Sequence, residues 1–456
     1  MKRAAEHELM RWYHRSKRKP IVLRGARQVG KSTLVRQFAK ETEVTLHEVN
    51  LERHPELAAA FATLRTETIL TELEAVVRAP IRAEGEILFL DEIQAVPEAI
   101  PALRYLAEDR PELPVVAAGS LLEFALAKHS FSMPVGRISY LHIQPMDFRE
   151  YTEEREPDLL RYLSADAVLS GIPAAAHGRL LRLLREYLAV GGMPEAVLAM
   201  SETGSAREAS AVQSQILQTY RDDFAKYASE RQLALLQSLF SGLPRWVGKK
   251  VKYVNFSRED LSRDVKAGLE LLRKAKIFTA VRHADGNGTP MAAEENPAVW
   301  KPLFLDVGLM NKSEGLDAAT VARMDSIRLV NEGALAEQFA GQHLLAMHGP
   351  SEEPSLHYWL REAKAGNAEV DYLIQRGGVI HPVEIKAGAS GALRSLGQFI
   401  KEKGPRIAYR FDLNPFSRQM VRHDASSGIP PFELVSLPLY AAASFRDIAE
   451  AIDAKA

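Results

Sequence analysis

The sequence predicts an α/β protein built on a parallel sheet, and three observations predict it. Between residues 20 and 148, short apolar runs alternate with stretches of helical periodicity, the rhythm of strands joined by helical crossovers. One run, Ile21-Val22-Leu23-Arg24, passes directly into a glycine-bracketed loop, Gly25 to Thr33, and then into a helical stretch, Leu34–Lys40. Another, Ile87-Leu88-Phe89-Leu90, is apolar throughout and ends in two acids, Asp91 and Glu92. That is the pattern of a strand buried on both faces and polar only at its tip.

The loop reads Gly25, Ala26, Arg27, Gln28, Val29, Gly30, Lys31, Ser32, Thr33, which is the G-x-x-x-x-G-K-[ST] spacing in its strand–loop–helix context. Glycines at both ends let the backbone curl so that its N–H groups converge on phosphate oxygens, and the helix N-terminus adds partial positive charge. Lys31 is placed to reach the β and γ phosphates, and Ser32 to offer its hydroxyl to magnesium. Asp91 is placed to hold that magnesium through its water shell, and Glu92 to orient or deprotonate an attacking water. ATP and Mg2+ are therefore the expected cofactors, and ATP hydrolysis the expected reaction. Ser120, just past the apolar run Val115–Ala118, is a candidate to touch the γ-phosphate or the water. Arg137, in Gly136-Arg137-Ile138, is a candidate charge sensor or a finger reaching a neighbouring subunit. A loop serine and a surface arginine are the plainer readings of these two.

The further candidate strands in this region are Val44–Asn50 and Ser139–Ile143. From Arg149 to about Ala228 the pattern is helical, with a turn at Gly191-Gly192-Met193-Pro194. The stretch 243–283 reads as helices followed by a strand, Ile277–Val281; a turn-rich stretch, Ala284–Pro297, leads to Leu303–Asp306. From about Asn331 to Phe411 one helix precedes a set of short strands. The tail from Pro430 carries no clear pattern.

Composition narrows the alternatives. Across 456 residues the hydrophobic content is 46% and the charged content 26%, ordinary for a globular protein of several domains. There is no cysteine, which removes disulfides, thiolate metal sites and cysteine nucleophiles and fits a cytoplasmic protein. The basic N-terminus is followed by no apolar run of a signal sequence, and no segment approaches the ~20 apolar residues of a membrane span. None of the thirteen histidines falls in an H-E-x-x-H spacing, and Ser120 lacks a G-x-S-x-G turn. The net charge of −1 gives the whole molecule no pull toward nucleic acid. Local charge differs: residues 241–276 hold ten Lys/Arg against four acids. Arg245, Lys249, Lys250, Lys252, Arg258, Arg263 and Lys266 are the candidate phosphate contacts, with Ser257 to Asp260 placed to cap a helix over Leu261–Ala275. The alternative is a solvated face.

Several motifs together resemble a group of bacterial and archaeal AAA+ ATPases. They are the Gly25–Thr33 loop, Leu90-Asp-Glu-Ile-Gln94, Gly119-Ser120-Leu-Leu, Gly136-Arg137, Pro145-Met-Asp-Phe-Arg-Glu150 and Gly191-Gly-Met-Pro-Glu195. The resemblance implies an α/β fold: a P-loop AAA+ core with a helical lid, followed by a winged-helix-like segment and a small α/β endonuclease-like domain. On this chain the boundaries fall at 1–148, 149–230, 231–325 and 326–456. It also implies DNA as a partner and a possible ring of identical subunits.

The expected C-terminal domain holds a second candidate centre. Asp371 lies thirteen positions before Glu384, and Glu384 two before Lys386, so that Glu384 and Lys386 share one face of a strand. This arrangement resembles PD-(D/E)XK nucleases, in which Asp371 and Glu384 would bind magnesium and Lys386 would position or activate a water. Glu337, on the preceding helix, would add a further acid. Val370 stands where that family often has proline. Three functions remain open at this level: an ATPase that moves or remodels DNA, an ATP-gated nuclease cutting at Asp371, Glu384 and Lys386, and a nucleotide-switched scaffold for protein partners.

Overall fold

The computed structural model describes residues 1–83, 85–120, 122, 136–225, 230–257, 259–318, 320, 332–362, 367–376, 378–386 and 393–454. The chain forms two compact units. The first is Met1–Gln144 with two later segments, Lys274–Ile277 and His348–Glu353; the second is Pro145–Arg273, Phe278–Met347 and Pro354–Ala456.

In the first unit, β1 (Ile21–Arg24), β2 (Thr45–Asn50), β3 (Glu86–Asp91), β4 (Val115–Ala118) and β5 (Ser139–His142) form one sheet in the order β2-β3-β4-β1-β5, with every pair parallel. These are the runs expected from the sequence, shifted by at most one residue at an end. Helices pack on the sheet because their apolar residues recur at helical spacing. Ile69, Leu70 and Leu73 of Thr66–Val77, and Ala102, Leu103 and Leu106 of Ala99–Asp109, share one core with Leu88, Leu90 and Val115. Because all strands run the same way, their C-terminal ends emerge along one edge. The insertion of β4 between β1 and β3 then brings the phosphate loop, Ser120 and Asp91 together there.

The chain also forms an N-terminal helix, Ala4–Tyr13, that no motif in the sequence announces. It buries Ala5, Leu9 and Trp12, one face of the helix. Just before it, the Arg3 guanidinium donates to the carbonyls of Val29 (3.0 Å) and Gln144 (2.6 Å), tying the helix to the phosphate loop. At β5, the His142 N–H donates to the Pro350 carbonyl at 2.6 Å, so the segment His348–Glu353 closes part of that edge.

The second unit opens with helices, from Phe148–Arg155 to Glu230–Gly242. The expected turn at Gly191-Gly192 ends the long helix Ala174–Val190 and lies in a buried polar node. The Tyr187 hydroxyl donates to the Met146 carbonyl (2.6 Å), the Met146 N–H to the Gly192 carbonyl (2.7 Å), and the Gly192 N–H to Asp306 Oδ2 (2.6 Å). Asp306 also accepts from the Leu309 N–H at 3.0 Å, capping the helix Val307–Ser313.

The helix Ser262–Lys274 follows, and then β6 (Phe278–Ala284), β7 (Glu295–Phe304), β8 (His357–Arg361), β9 (Ala368–Arg376), β10 (Val379–Ile385), β11 (Ile407–Asp412), β12 (Ser417–Val421) and β13 (Phe432–Pro438). They form one mixed sheet in the order β12-β13-β11-β10-β9-β8-β6-β7. The β6–β7 hairpin, which contains most of the expected strand Ile277–Val281, joins the later strands through parallel pairing of β6 with β8 at Arg282 and His283. Part of the stretch read as turn-rich is strand, since β7 begins at Glu295. The tail, unpatterned in sequence, supplies β13 and the helix Phe445–Asp453.

His343 is buried in this unit. Its Nδ1 lies 2.7 Å from the Phe339 carbonyl and its Nε2 accepts the Phe148 N–H at 2.8 Å, which fixes a neutral ring protonated at Nδ1. Burial pushes its pKa down to about 4, against a small upward pull from the Phe339 carbonyl and Glu150. The unfolded chain takes up this proton near the ordinary histidine value and the native state near 4, so stability falls as pH drops through that window, by about 3 kcal/mol at most. Denaturant titrations between pH 7 and 4.5 should show that loss in the wild type and a flatter dependence in His343→Gln. Equal slopes would remove His343 as the cause.

Candidate functional site

The phosphate loop is held open by local geometry. Gly30 has φ +88° and precedes the first turn of the helix Lys31–Glu41, while Gln28 takes φ +62°. A Cβ on Gly25 would run into the Ile143 carbonyl, so only glycine fits there. Lys31 lies under this loop, 8% exposed, donating from Nζ to the Ala26 carbonyl (2.7 Å) and the Gly25 carbonyl (3.1 Å). Burial lowers its pKa to about 8, although Glu92 and Asp91 pull the other way.

Ser32 Oγ lies 3.0 and 2.9 Å from the two oxygens of Asp91. Burial raises the Asp91 pKa, and the Ser32 hydroxyl opposes that rise. A hydroxyl and a carboxylate, both hard oxygen donors at the mouth of a loop, fit a magnesium ion that keeps most of its waters. Glu92 is held at φ +51°, a conformation that costs a non-glycine residue ~1–3 kcal/mol and often marks a working site. Its carboxylate takes the Gln94 side-chain amide N–H and lies 3.5 Å from Ser120 Oγ. Gln94 closes the motif Leu90-Asp-Glu-Ile-Gln94, which assigns it no role. Its nearness to Gly119, where any Cβ would clash with its carbonyl oxygen, is a contact that no local pattern announces.

Loop, Lys31, Ser32, Asp91, Glu92 and Ser120 thus come together at one sheet edge. Residues 17–152 match a family model described as an AAA domain. This region is an AAA-type P-loop domain. The match covers under a third of the chain, and two further models fit the remainder: residues 181–320 and 332–430, each described only as a domain of unknown function. No curated protein matches the sequence significantly. Among solved structures, the chain aligns with a signal transduction ATPase with numerous domains and a tetratricopeptide repeat sensor from Pyrococcus horikoshii, at 13% identity and TM-score 0.27, covering 76% of this chain and 47% of that one. It thus spans less than half the length of that protein. It also aligns with the Holliday junction branch migration motor RuvB of Thermotoga maritima, at 16% identity and TM-score 0.27, covering 60% of this chain and 88% of that one. At that level of likeness neither carries an argument about this chain.

Within the AAA domain, Arg137 is about half exposed and pairs with Glu108 at 3.2 Å, away from the contacts of Lys31 and Asp91. In the second unit, Arg245, Lys249, Lys252, Arg263 and Lys266 are exposed and Lys250 is half-buried. Lys250 pairs with Glu362 at 2.8 Å, Arg263 with Asp264 at 3.4 Å, and Lys249 donates to the Arg245 carbonyl at 3.0 Å. Arg258 lies outside the described residues. Val265, Gly268, Leu269 and Leu272 turn one face of the helix Ser262–Lys274 inward, which leaves Arg263 and Lys266 outward. Ser257 bonds the Asp260 side chain and N–H, closing a turn ahead of that helix rather than capping its first residue.

The second centre is also assembled. The Ile385 N–H donates to Asp371 Oδ2 at 2.7 Å, and Lys386 bonds the Glu384 carboxylate. Burial raises Glu384 to about 7, with Asp371 adding to the rise and Lys386 opposing it. A residue absent from the sequence reading completes the cluster: Lys301 on β7, 1% exposed, bonds the Glu337 carboxylate and lies 3.2 Å from Glu369 Oε1. Burial works against its charge, yet Glu337, Glu369 and Asp371 outweigh that and hold its pKa above an ordinary lysine's.

These residues fit a divalent metal poorly. Two oxygens, Glu384 Oε2 and Glu337 Oε1, are buried without a hydrogen bond, but Lys301 stands against that Glu337 oxygen, Lys386 takes the other Glu384 oxygen and the Ile385 N–H takes Asp371 Oδ2. Among the described residues, no group of three or more His, Asp or Glu side chains is arranged to hold a metal ion. An ammonium and a divalent ion about 4 Å apart would repel by roughly 8 kcal/mol at an effective dielectric constant of about 20.

Proposed function

We propose that the chain binds Mg-ATP at the edge of the AAA domain, hydrolyses it, and uses the cycle to move or remodel DNA held by the second unit. The observation that carries the first half is the pairing of Ser32 with Asp91 beside Glu92, with Lys31 under the loop. The loop amides and Lys31 would take the phosphates, and Ser32 and Asp91 would hold a magnesium ion, which would offset phosphate charge. Glu92, kept in place by Gln94 and Ser120, orients the water for in-line attack on the γ-phosphorus. Arg137 is free of the Lys31 and Asp91 contacts and fits a role toward a neighbouring subunit in a ring.

The DNA half is supported by the exposed basic residues Arg245, Lys249, Lys252, Arg263 and Lys266, where backbone phosphates would be contacted without base reading. ATP turnover measured with and without duplex and branched DNA tests both halves together. Glu92→Gln is expected to keep nucleotide and DNA affinity while losing about 100-fold or more in turnover. Neutralising Lys249, Lys252 and Lys266 is expected to weaken DNA binding and to reduce its log–log salt slope by about 2–3. Undiminished turnover in Glu92→Gln would end the hydrolysis assignment; DNA binding that ignores the three lysines would end the placement of the DNA.

A further inference from the structure

The acidic cluster of the second unit draws carboxylates from three separate elements: Glu337 from the helix Glu332–Ala346, Glu369 and Asp371 from β9, and Glu384 from β10. Such convergence is costly unless a cation is present, since like charges repel and the buried Glu337 and Glu384 lose hydration. The cation is supplied by the chain. Lys301 reaches in from β7, bonds Glu337 and Glu369, and lies over the rings of Tyr358 (4.9 Å) and Tyr372 (5.3 Å) to the centroids. Those two ring faces add the attraction of their negative quadrupoles to that of the carboxylates. Tyr372 in turn donates its hydroxyl to the Glu337 carbonyl at 2.9 Å, fixing the helix that carries the acid. On the far side Gly248 closes the cluster: a Cβ there would come within 2.5 Å of the second Glu337 oxygen.

We propose that Lys301 is a resident cation, its ammonium standing where Glu337, Glu369 and Asp371 would otherwise gather a divalent metal, so that this cluster is a closed ion-pair network and not a metal-dependent cutting centre. The proposal is independent of the ATPase reading: it concerns only what the second unit's carboxylates bind. Its consequence is that the unit presents a phosphate-compatible surface without the means to activate a water against a phosphodiester. A tethered ammonium, already bonded to Glu337 and Glu369, competes with a divalent ion for these carboxylates and has no binding entropy to lose. On this reading Lys301 disfavours magnesium and manganese at the cluster.

Mn2+ binding to the nucleotide-free full chain, read by the loss of the free-ion EPR signal, tests this directly. Asp91→Asn serves as the background, so that the phosphate-loop site contributes nothing. In that background, no Mn2+ sensitive to Asp371→Asn should bind. Adding Lys301→Gln should create one site, lost again with Asp371→Asn, and 1 mM Mn2+ should raise the thermal midpoint of the Lys301→Gln protein while leaving that of the Lys301 protein unmoved. One equivalent of Mn2+ bound in the presence of Lys301 and removed by Asp371→Asn overturns the proposal, whether or not the Lys301 variant folds. So does a folded Lys301→Gln protein that gains no site.

Discussion

Lys31→Ala is expected to reduce ATP turnover by about 100- to 1,000-fold, the usual cost of losing one fixed positive group at a charge-developing phosphate. Lys31 is pre-placed, its ammonium held against the Ala26 and Gly25 carbonyls before any ligand arrives. Removing it strips the loop of a buried, pre-placed positive charge for the β and γ phosphates, while the substitution puts a good helix former at the first position of the helix Lys31–Glu41. Stability should change little, so the loss is separable from unfolding by a melt. The wild type should also show its own signature. Since burial holds Lys31 near 8 without ligand, its ammonium is fully present below that pH and titrates away above it. Bound phosphates favour the charged form, so nucleotide affinity should decline above pH 8 and binding there should take up protons. Calorimetry in two buffers of different ionisation enthalpy measures that uptake. Turnover that survives Lys31→Ala would dismiss the loop as the nucleotide site.

The second large effect is on folding. Gly192→Ala is expected to destabilise the second unit by roughly 2–4 kcal/mol, the scale of overpacking at a site that cannot relax. A Cβ there would overlap the Met146 carbonyl and stand 2.9 Å from the Met146 nitrogen and the Tyr187 hydroxyl. The backbone cannot back away, because the Gly192 N–H is bonded to Asp306 and its carbonyl to the Met146 N–H. The same change at Gly178 should have the opposite sign. That glycine lies inside the helix Ala174–Val190 with open space around its would-be Cβ, and alanine there should stabilise by about 0.5–1 kcal/mol. Urea unfolding of the two variants side by side separates crowding at one residue from helix propensity at the other. A neutral Gly192→Ala would show that the node yields.

What could be read from the sequence was what is local. The phosphate loop is nine consecutive residues between a strand and a helix, and Asp91 and Glu92 end an uninterrupted apolar run; both are visible in short windows. The turn at Gly191-Gly192 was visible as a turn, but its reason was not, because Met146 and Asp306 lie far from it in the chain. Lys301 was invisible for a stronger reason. It stands in Val299-Trp300-Lys301-Pro302-Leu303, where a lysine ordinarily points to solvent, and its partner Glu369 is 68 residues away. The tail gave no pattern because β13 owes its place to pairing with β11 and β12, and pairing between distant segments leaves no periodic mark on either. The helix Ala4–Tyr13 was masked by the basic residues around it.

The return of the chain to the nucleotide-binding unit has a practical meaning. Lys274–Ile277 and His348–Glu353 belong to that unit although they lie far beyond its sheet in the sequence, and Pro350 gives β5 the acceptor for the His142 N–H. A fragment stopped near residue 150 would keep every motif of an ATPase and yet bare the edge of its outermost strand. Such a fragment should self-associate through that edge, and assays of nucleotide turnover on it would report on the aggregate rather than on the full chain.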